Sequence, residues 1–435
     1  MALPPALRDV HLPEPLLELL RRLGGAGHRS YLVGGAVRDL LLGRPEGAFD
    51  FDVATPATPR EVTGLFRRVI PTGIEHGTVT VLAGQGLKVE VTTFRGEGTY
   101  LDGRRPGSVV FHGDLEADLA RRDFTVNAMA FDPLAGELVD PAGGQEDLGR
   151  RLIRAVGDPA TRFSEDGLRP LRAIRFAAQL GFALDPATAA AIPGARAVVE
   201  RVSAERVSGE LLRIATAPHV AAGLDLLGAA GLLGLVLPPL DRLPEGELRH
   251  VGAVAAAMAD GGEPAPRLAA LLHRTPPTEL APLLARLRLP RRLADEVAAL
   301  VAHRACAIDR PLGEPSPART RRWLSSVTPP RAPTLLDLAA AEAAVGAAAE
   351  RSAGRALVAR WREAVDAARA SGAPLAVGDL ALDGRAVMEL LRCGPGPHLG
   401  EALRALLDLA LEDPSINTPE RLGEAARGWW RDRRP

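Results

Sequence analysis

Lysine is all but missing from this 435-residue chain: of 53 basic residues only Lys88 is not an arginine. Such a bias follows coding composition, so arginine abundance by itself argues nothing about partners. Asparagine occurs twice, at Asn127 and Asn417, and aromatic residues make up 4% of the chain. The two cysteines, Cys306 and Cys393, lie far apart in sequence and are flanked by no metal-ligand spacing, which fits a reducing, cytoplasmic setting. No run approaches eighteen apolar residues, and the N-terminus lacks a basic start followed by an uninterrupted apolar stretch. Neither membrane insertion nor export is therefore indicated. The formal net charge is −1, so contact with nucleic acid would have to come from local basic patches. What the chain does have is length, enough for two to four domains that each bury a core.

Against this background the pair Asp50 and Asp52 in AFDFDVAT stands out, because it follows the glycine-rich segment YLVGGAVRDLLLG. Tyr31 to Val33 reads as a short apolar strand and Gly34-Gly35 as a turn that brings backbone N–H groups near phosphate. Ala36 to Leu42 reads as a helix whose N-terminus favours anions, with Arg38 in its first turn. Strand alternation puts Asp50 and Asp52 on one face, where their oxygens suit a hard cation, and turns Phe51 into the core. Two Mg²⁺ ions held there would activate an attacking hydroxyl and neutralise a leaving pyrophosphate. A Gly-Gly turn or an Asp-x-Asp alone is commonly structural; their order along the chain gives the signal. The arrangement resembles the nucleotidyltransferase domain of the polymerase-beta superfamily, which implies transfer of a nucleoside monophosphate from an NTP to a hydroxyl.

Leu16 to Leu23 reads as a leading helix ended by Gly24-Gly25. Val79–Leu82 and Lys88–Thr93 read as strands joined by AGQG, and Ser108–Phe111 as a further strand. The α/β region ends near Gly157, and from Ser164 the pattern is helical, rich in Ala, Leu and Arg, with Pro-rich breaks at 311–317 and 329–334. The expected organisation is a lead-in over 1–29, a nucleotidyltransferase head over 30–157 and helical segments over 158–220, 221–330 and 331–435, which the resemblance carried by the motifs below implies to be a neck, a body and a tRNA-binding tail. The fold class is α+β: a mixed-sheet, polymerase-beta-like head followed by an all-α remainder.

Two further motifs carry chemistry. In RRDFTVNAMAFDP (121–133), Arg122, Asp123 and Asn127 offer a polar network for a ligand sugar or phosphate; the plainer reading is a charged helix start. In SEDGLRPLRAIRFAAQLGF (164–182), Arg169, Arg172 and Arg175 recur every three residues and form one helix stripe, with Asp166 three before Arg169 on the same face. A solvated face with an Asp–Arg pair competes with a cationic row for a triphosphate or RNA backbone. Pro170 belongs in the first turn, where its missing N–H costs least.

GGAVRD, DFD, GIEHGTVTV, EVTTFR, RRDFTVNA, EDGLRPLRAIRF and VSAERVSGEL occur in the order found in class II tRNA nucleotidyltransferases, the CCA-adding enzymes, and the match covers about residues 30–215. The resemblance implies Asp50 and Asp52 as metal ligands with Mg²⁺. It implies Gly34, Gly35, Arg38, Arg122, Asp123, Asn127, Arg172 and Arg175 around the nucleotide, Asp166 and Arg169 as readers of the base, and Glu90 as a third acidic group. Cytosine and adenine both present an amino group beside a ring-nitrogen acceptor, which a carboxylate and a guanidinium match; uracil and guanine present a carbonyl beside an N–H and do not. The implied partners are tRNA, CTP and ATP, with no stable protein partner.

An enzyme adding only the final A shares every motif above. A bacterial poly(A) polymerase fits less well, because VIPTGIEHGTVTV stands where its basic segment would follow the Asp-x-Asp strand, and an inactive RNA-binding relative would not need the intact acids and arginines. TTFRGEGTYLDGRRP (92–106) resembles the loop that accompanies addition of the terminal A. Some relatives carry a His-Asp phosphohydrolase motif, but LLHRT places Arg274 after His273, so that activity is expected to be absent and His273 reads as packing. Residues Arg286 to Arg322 carry nine arginines against four acids, a local +5 that suits a tRNA backbone or a solvated surface. Gly394 to Pro397 reads as a turn between tail helices, and Trp429-Trp430 as cover for an apolar patch.

Overall fold

The computed structural model describes residues 3–44, 50–95, 114–258, 263–303, 313–346 and 348–432. The loop beyond Arg95, the strand expected over Ser108–Phe111 and part of the 286–322 basic stretch lie outside these residues. The chain divides into two compact units, residues 1–242 and 243–435.

The first unit is built on a mixed seven-stranded sheet. Its strands are β1 (Tyr31–Val33), β2 (Phe51–Thr55), β3 (Val69–Gly73), β4 (Thr78–Leu82), β5 (Lys88–Thr93), β6 (Ala130–Asp132) and β7 (Glu137–Val139), in the spatial order 3-4-5-2-1-6-7. Only β2 and β5 run parallel; the other neighbours are antiparallel. Leu32, Val53, Val89 and Val91, on the central strands, are at most 1% exposed and fix the register by burying one face. That register sets Val33 opposite Asp52, and Asp52 beside Glu90.

The expected helix after the glycine turn forms over Gly35–Leu41, and β4 and β5 form where alternation placed them. Past β7 the unit is almost wholly helical, apart from a two-residue strand pair, Leu152–Ile153 with Ala183–Leu184. Helix Pro159–Glu165 begins at Asp158, whose carboxylate accepts from Thr161 N at 2.8 Å. Helix Arg169–Leu180 carries Pro170 in its first turn and stops at Gly181, which takes a left-handed φ of 66°. Helix Ala204–Ala215 packs against it.

The second unit is all helical among its described residues. Helices Glu245–Ala257, Pro264–Leu272 and Ala332–Val345 pack together near its start. Helices Gly384–Leu391, Pro397–Glu412 and Pro419–Arg431 enclose a separate apolar cluster at its end, and Trp429 and Trp430 pack against that cluster. No helix among the described residues is long and apolar enough to cross a membrane.

Candidate active site

A polar cleft of about 770 Å³ opens in the first unit, over the C-terminal end of β1 and the start of β2. Its floor is acidic. Asp50, Asp52 and Glu90 all line it, and Asp52 and Glu90 are side by side because β2 and β5 are parallel and in register. Burial, then the neighbouring Glu90, push the Asp52 carboxyl up to about 6, against the opposing pull of Arg122 and with a smaller push from Asp50. An all-oxygen acidic set that resists ionising by itself is what a hard divalent cation would relieve, so these residues fit such an ion.

Above the acids, Gly34 adopts φ 69° and ψ −132°, open to glycine and closed to most side chains. A Cβ there would lie 3.1 Å from Arg122 Nη1 and 3.7 Å from Asp52 Oδ2. The turn therefore packs its backbone directly against the Asp52 carboxylate and the Arg122 guanidinium. Arg38 is buried; its Nη1 donates to Asn127 Oδ1 at 2.6 Å, and its Nε and Nη2 donate to Asp39 at 3.0 and 2.9 Å. Arg122 Nη2 donates to Asp118 Oδ2 at 3.2 Å.

Asp118 is 1% exposed and also accepts from Arg121 Nη2 at 2.9 Å and Arg95 N at 3.2 Å. Burial alone would raise its pKa, but Arg122 and Arg121 outweigh it and hold the carboxyl below the ordinary range.

The third wall comes from helix Arg169–Leu180 and the turn before it, and here the structure corrects the expected stripe. Asp166 does not share a helix face with Arg169. It ends the preceding helix in extended backbone, φ −142° and ψ 111°, and its carboxylate accepts from Leu168 N at 3.0 Å and from Arg206 Nη2 at 3.0 and 3.3 Å. Arg169 pairs with Glu165 and donates from Nη1 to the Arg162 carbonyl at 2.8 Å and from Nη2 to the Arg121 carbonyl at 3.2 Å. Among the described residues those contacts leave its Nε–H and one Nη2–H without a hydrogen-bond acceptor. Both Asp166 and Arg169 line the cleft.

Nor is the arginine row purely cationic. Arg172 is clamped on Asp123 Oδ2 at 2.7 and 2.5 Å, and Arg175 forms an ion pair with Glu210 at 2.7 Å. Each arginine of the row thus meets an acid from another segment. Asp123, buried, resists ionisation through desolvation, but Arg172 and its hydrogen bonds to Asn127 and Phe124 prevail and lower its pKa. Arg172, Asp123 and Asn127 line the cleft. Arg175 does not: it lies behind, over the Phe176 ring at 4.1 Å, where burial first of all lowers its pKa to about 10. Sequence reasoning named neither Arg206, Glu165 nor Asp118 as site residues, although Arg206 lies in VSAERVSGEL and Glu165 adjoins Asp166.

The family model for the Poly A polymerase head domain matches residues 30–154, and that for the probable RNA and SrmB-binding site of polymerase A matches 181–243. The CCA-adding enzyme of Geobacillus thermodenitrificans is 38% identical over 410 residues, covering 93% of this chain and 94% of the relative. That of Geobacillus stearothermophilus is 38% identical over 406 residues, with the same coverage. Among solved structures, the Bacillus stearothermophilus CCA-adding enzyme in complex with CTP matches with a TM-score of 0.81 at 35% identity, over 97% of this chain and 99% of that one. The Thermotoga maritima CCA-adding enzyme complexed with tRNA shares the fold, with a TM-score of 0.64 at 21% identity, over 99% of each chain.

Proposed function

The chain belongs to the CCA-adding enzymes, and from that premise we propose that magnesium is its metal, that Asp50 and Asp52 hold it, and that Asp166 and Arg169 choose the base. The reaction is nucleotidyl transfer: CMP, CMP and AMP are added to the 3′ end of tRNA from CTP and ATP, without a nucleic-acid template. The enzyme uses a divalent metal. What supports the residue roles is one observation, that a single cleft gathers an acidic floor, a glycine turn, the guanidiniums of Arg38, Arg122 and Arg172 among others, and the Asp166/Arg169 pair.

In this reading Asp50 and Asp52, with Glu90 beside them, would hold the cation, which when bound would supply Lewis acidity to the attacking 3′-hydroxyl and charge neutralisation to the leaving pyrophosphate. Gly34 and Gly35 offer backbone N–H groups to the phosphates at the start of helix Gly35–Leu41, whose dipole favours anions. Arg38, Arg122 and Arg172 grip the triphosphate, each held at its back by Asp39, Asp118 or Asp123. A guanidinium anchored on a carboxylate keeps its orientation when the ligand leaves, which is preorganisation for in-line attack.

Asp166 accepts from the exocyclic amino group of cytosine or adenine. Arg169 donates its remaining N–H groups to the adjacent ring nitrogen. Uracil and guanine would face carboxylate with carbonyl and guanidinium with N–H, leaving buried polar groups unpaired, a mismatch that costs roughly 1–3 kcal/mol per group. A tRNA substrate and two isolated cysteines support a cytoplasmic setting.

Purified protein given three tRNA transcripts, ending before CCA, after C and after CC, should complete all three to CCA. Completion of the third alone would assign an A-adding enzyme; completion of none would remove the proposed function.

A further inference from the structure

Away from the cleft, in the second unit, we propose that His250, His273 and Glu342 form a binding site for a divalent first-row transition metal of the zinc class. The three come from separate helices: His250 from Glu245–Ala257, His273 from the end of Pro264–Leu272, and Glu342 from Ala332–Val345. One ligand atom from each lies within 4.8 Å of the other two.

The geometry is near that of a coordination shell. His250 Nε2 is 2.8 Å from Glu342 Oε1, and His273 Nε2 is 3.5 Å from Glu342 Oε2. Two ligands bonded at about 2.1 Å in a tetrahedral shell stand about 3.4 Å apart, so small side-chain shifts close the set. Two imidazoles and one carboxylate suit zinc and its neighbours and suit Mg²⁺ poorly.

Two further observations point to a cation. Nδ1 of His273 donates to the Ala270 carbonyl at 2.6 Å, which directs Nε2 inward and is the outer-shell bond that ligating histidines ordinarily make. Glu342 Oε2 is buried and has no hydrogen-bond partner among the described residues. An orphaned carboxylate oxygen beside an imidazole nitrogen is a position that a metal would satisfy.

Arg274 shows how the protein tolerates the site without metal. Its Nε donates to His273 Nε2 at 3.3 Å and its Nη2 to Glu342 Oε1 at 3.3 Å, so the guanidinium spans the mouth of the cluster. The side chain is 38% exposed and also has Glu247 Oε2 at 3.8 Å from Nη1, an outer acid on which it can settle once displaced. Metal and Arg274 therefore compete for the same two ligand atoms. Bound metal would tie three helices of the second unit together and stabilise it by mass action. His273 is thus no simple packing residue, and the site stands independently of the transferase chemistry.

The test is Zn²⁺ titration of the whole chain against a chromophoric competitor, in an Asp50→Asn, Asp52→Asn, Glu90→Gln background that removes the carboxylates of the cleft floor. One Zn²⁺ per chain is expected. His273→Gln and Glu342→Gln should weaken it by at least about 100-fold, since even outer-shell losses cost about 10–100-fold. Arg274→Ala, which deletes the competitor and no ligand, should tighten binding by about tenfold or more, an outcome that a folding defect cannot imitate. Absence of Zn²⁺ from the parent, affinity in both ligand variants equal to the parent's, or unchanged or weakened binding in Arg274→Ala overturns the proposal.

Discussion

Asp118→Asn should damage both stability and nucleotide affinity, because one buried carboxylate balances two guanidiniums. Asp118 is 1% exposed and accepts from Arg121, Arg122 and the Arg95 backbone at 2.9–3.2 Å. Asparagine keeps one acceptor but turns an NH₂ toward donors that carry positive charge. Breaking a buried pair from one side costs about 3–5 kcal/mol. The Arg121 and Arg122 side chains keep 22% and 21% of their exposure and so remain partly solvated, which favours the lower end, about 3 kcal/mol. For a unit of this size that is a loss of roughly 6–12 °C in the unfolding midpoint.

The pH dependence follows from the lowered pKa of Asp118. A carboxyl held below its unfolded value, about 3.9, contributes stability that is complete above that value and lost as pH falls through the folded one. The difference in midpoint between wild type and variant should therefore be constant above about pH 5 and shrink below about pH 4. In kinetics, Arg122 loses its anchor, and KM for CTP and ATP should rise together by about tenfold, equivalent to 1.4 kcal/mol. Thermal melts across pH and steady-state incorporation on tRNA ending before CCA measure both. Equal midpoints with unchanged KM would refute the reasoning.

Two other substitutions probe the floor and the third wall. Asp52→Asn should abolish transfer of CMP and AMP alike while tRNA affinity, read by filter binding, stays near wild type, as follows if the proposed role of the lost group is to hold metal and not RNA; retained transfer of either nucleotide would remove the metal assignment. Gly167→Ala should displace the turn between Asp166 and Arg169, because the added Cβ would sit 2.5 Å from the Val198 carbonyl oxygen and 2.9 Å from Val202. A loss of about 1–3 kcal/mol in stability, with reduced selectivity for CTP over UTP, is the expected result; normal selectivity in a stable variant would mean the turn does not set the pair.

Much of the head was legible because its signals are local. Tyr31–Val33, the glycine turn, β4 and β5 show alternation or short apolar runs bounded by glycine, and they formed as read. β3 was missed because Pro71 interrupts it and its residues are largely exposed at the sheet edge; β6 and β7 have three residues each, too few for periodicity. The Asp-x-Asp pair was legible as well, whereas Glu90 was indicated only by the family resemblance, because the parallel pairing of β2 with β5 that sets it beside Asp52 joins segments distant in sequence. The arginine helix was less so. Its spacing marked the stripe, but the acids that compensate it lie elsewhere in the chain, Asp123 being 49 residues from Arg172. Helical continuity also misled at Asp166, where the chain turns extended and presents the carboxylate from outside the helix. His273 looked solitary because His250 and Glu342 reach it from two other helices.

The central claim is that protein side chains, Asp166 and Arg169, select the base. Incorporation of each of the four nucleotides into tRNA ending before CCA, by wild type and by Arg169→Ala, tests it most directly. Arg169→Ala should retain measurable transfer while its preference for CTP over UTP falls by about tenfold or more, as expected when one half of a hydrogen-bonded recognition pair is removed. A variant that loses rate equally for all four nucleotides, with the wild-type ratios intact, would contradict the account.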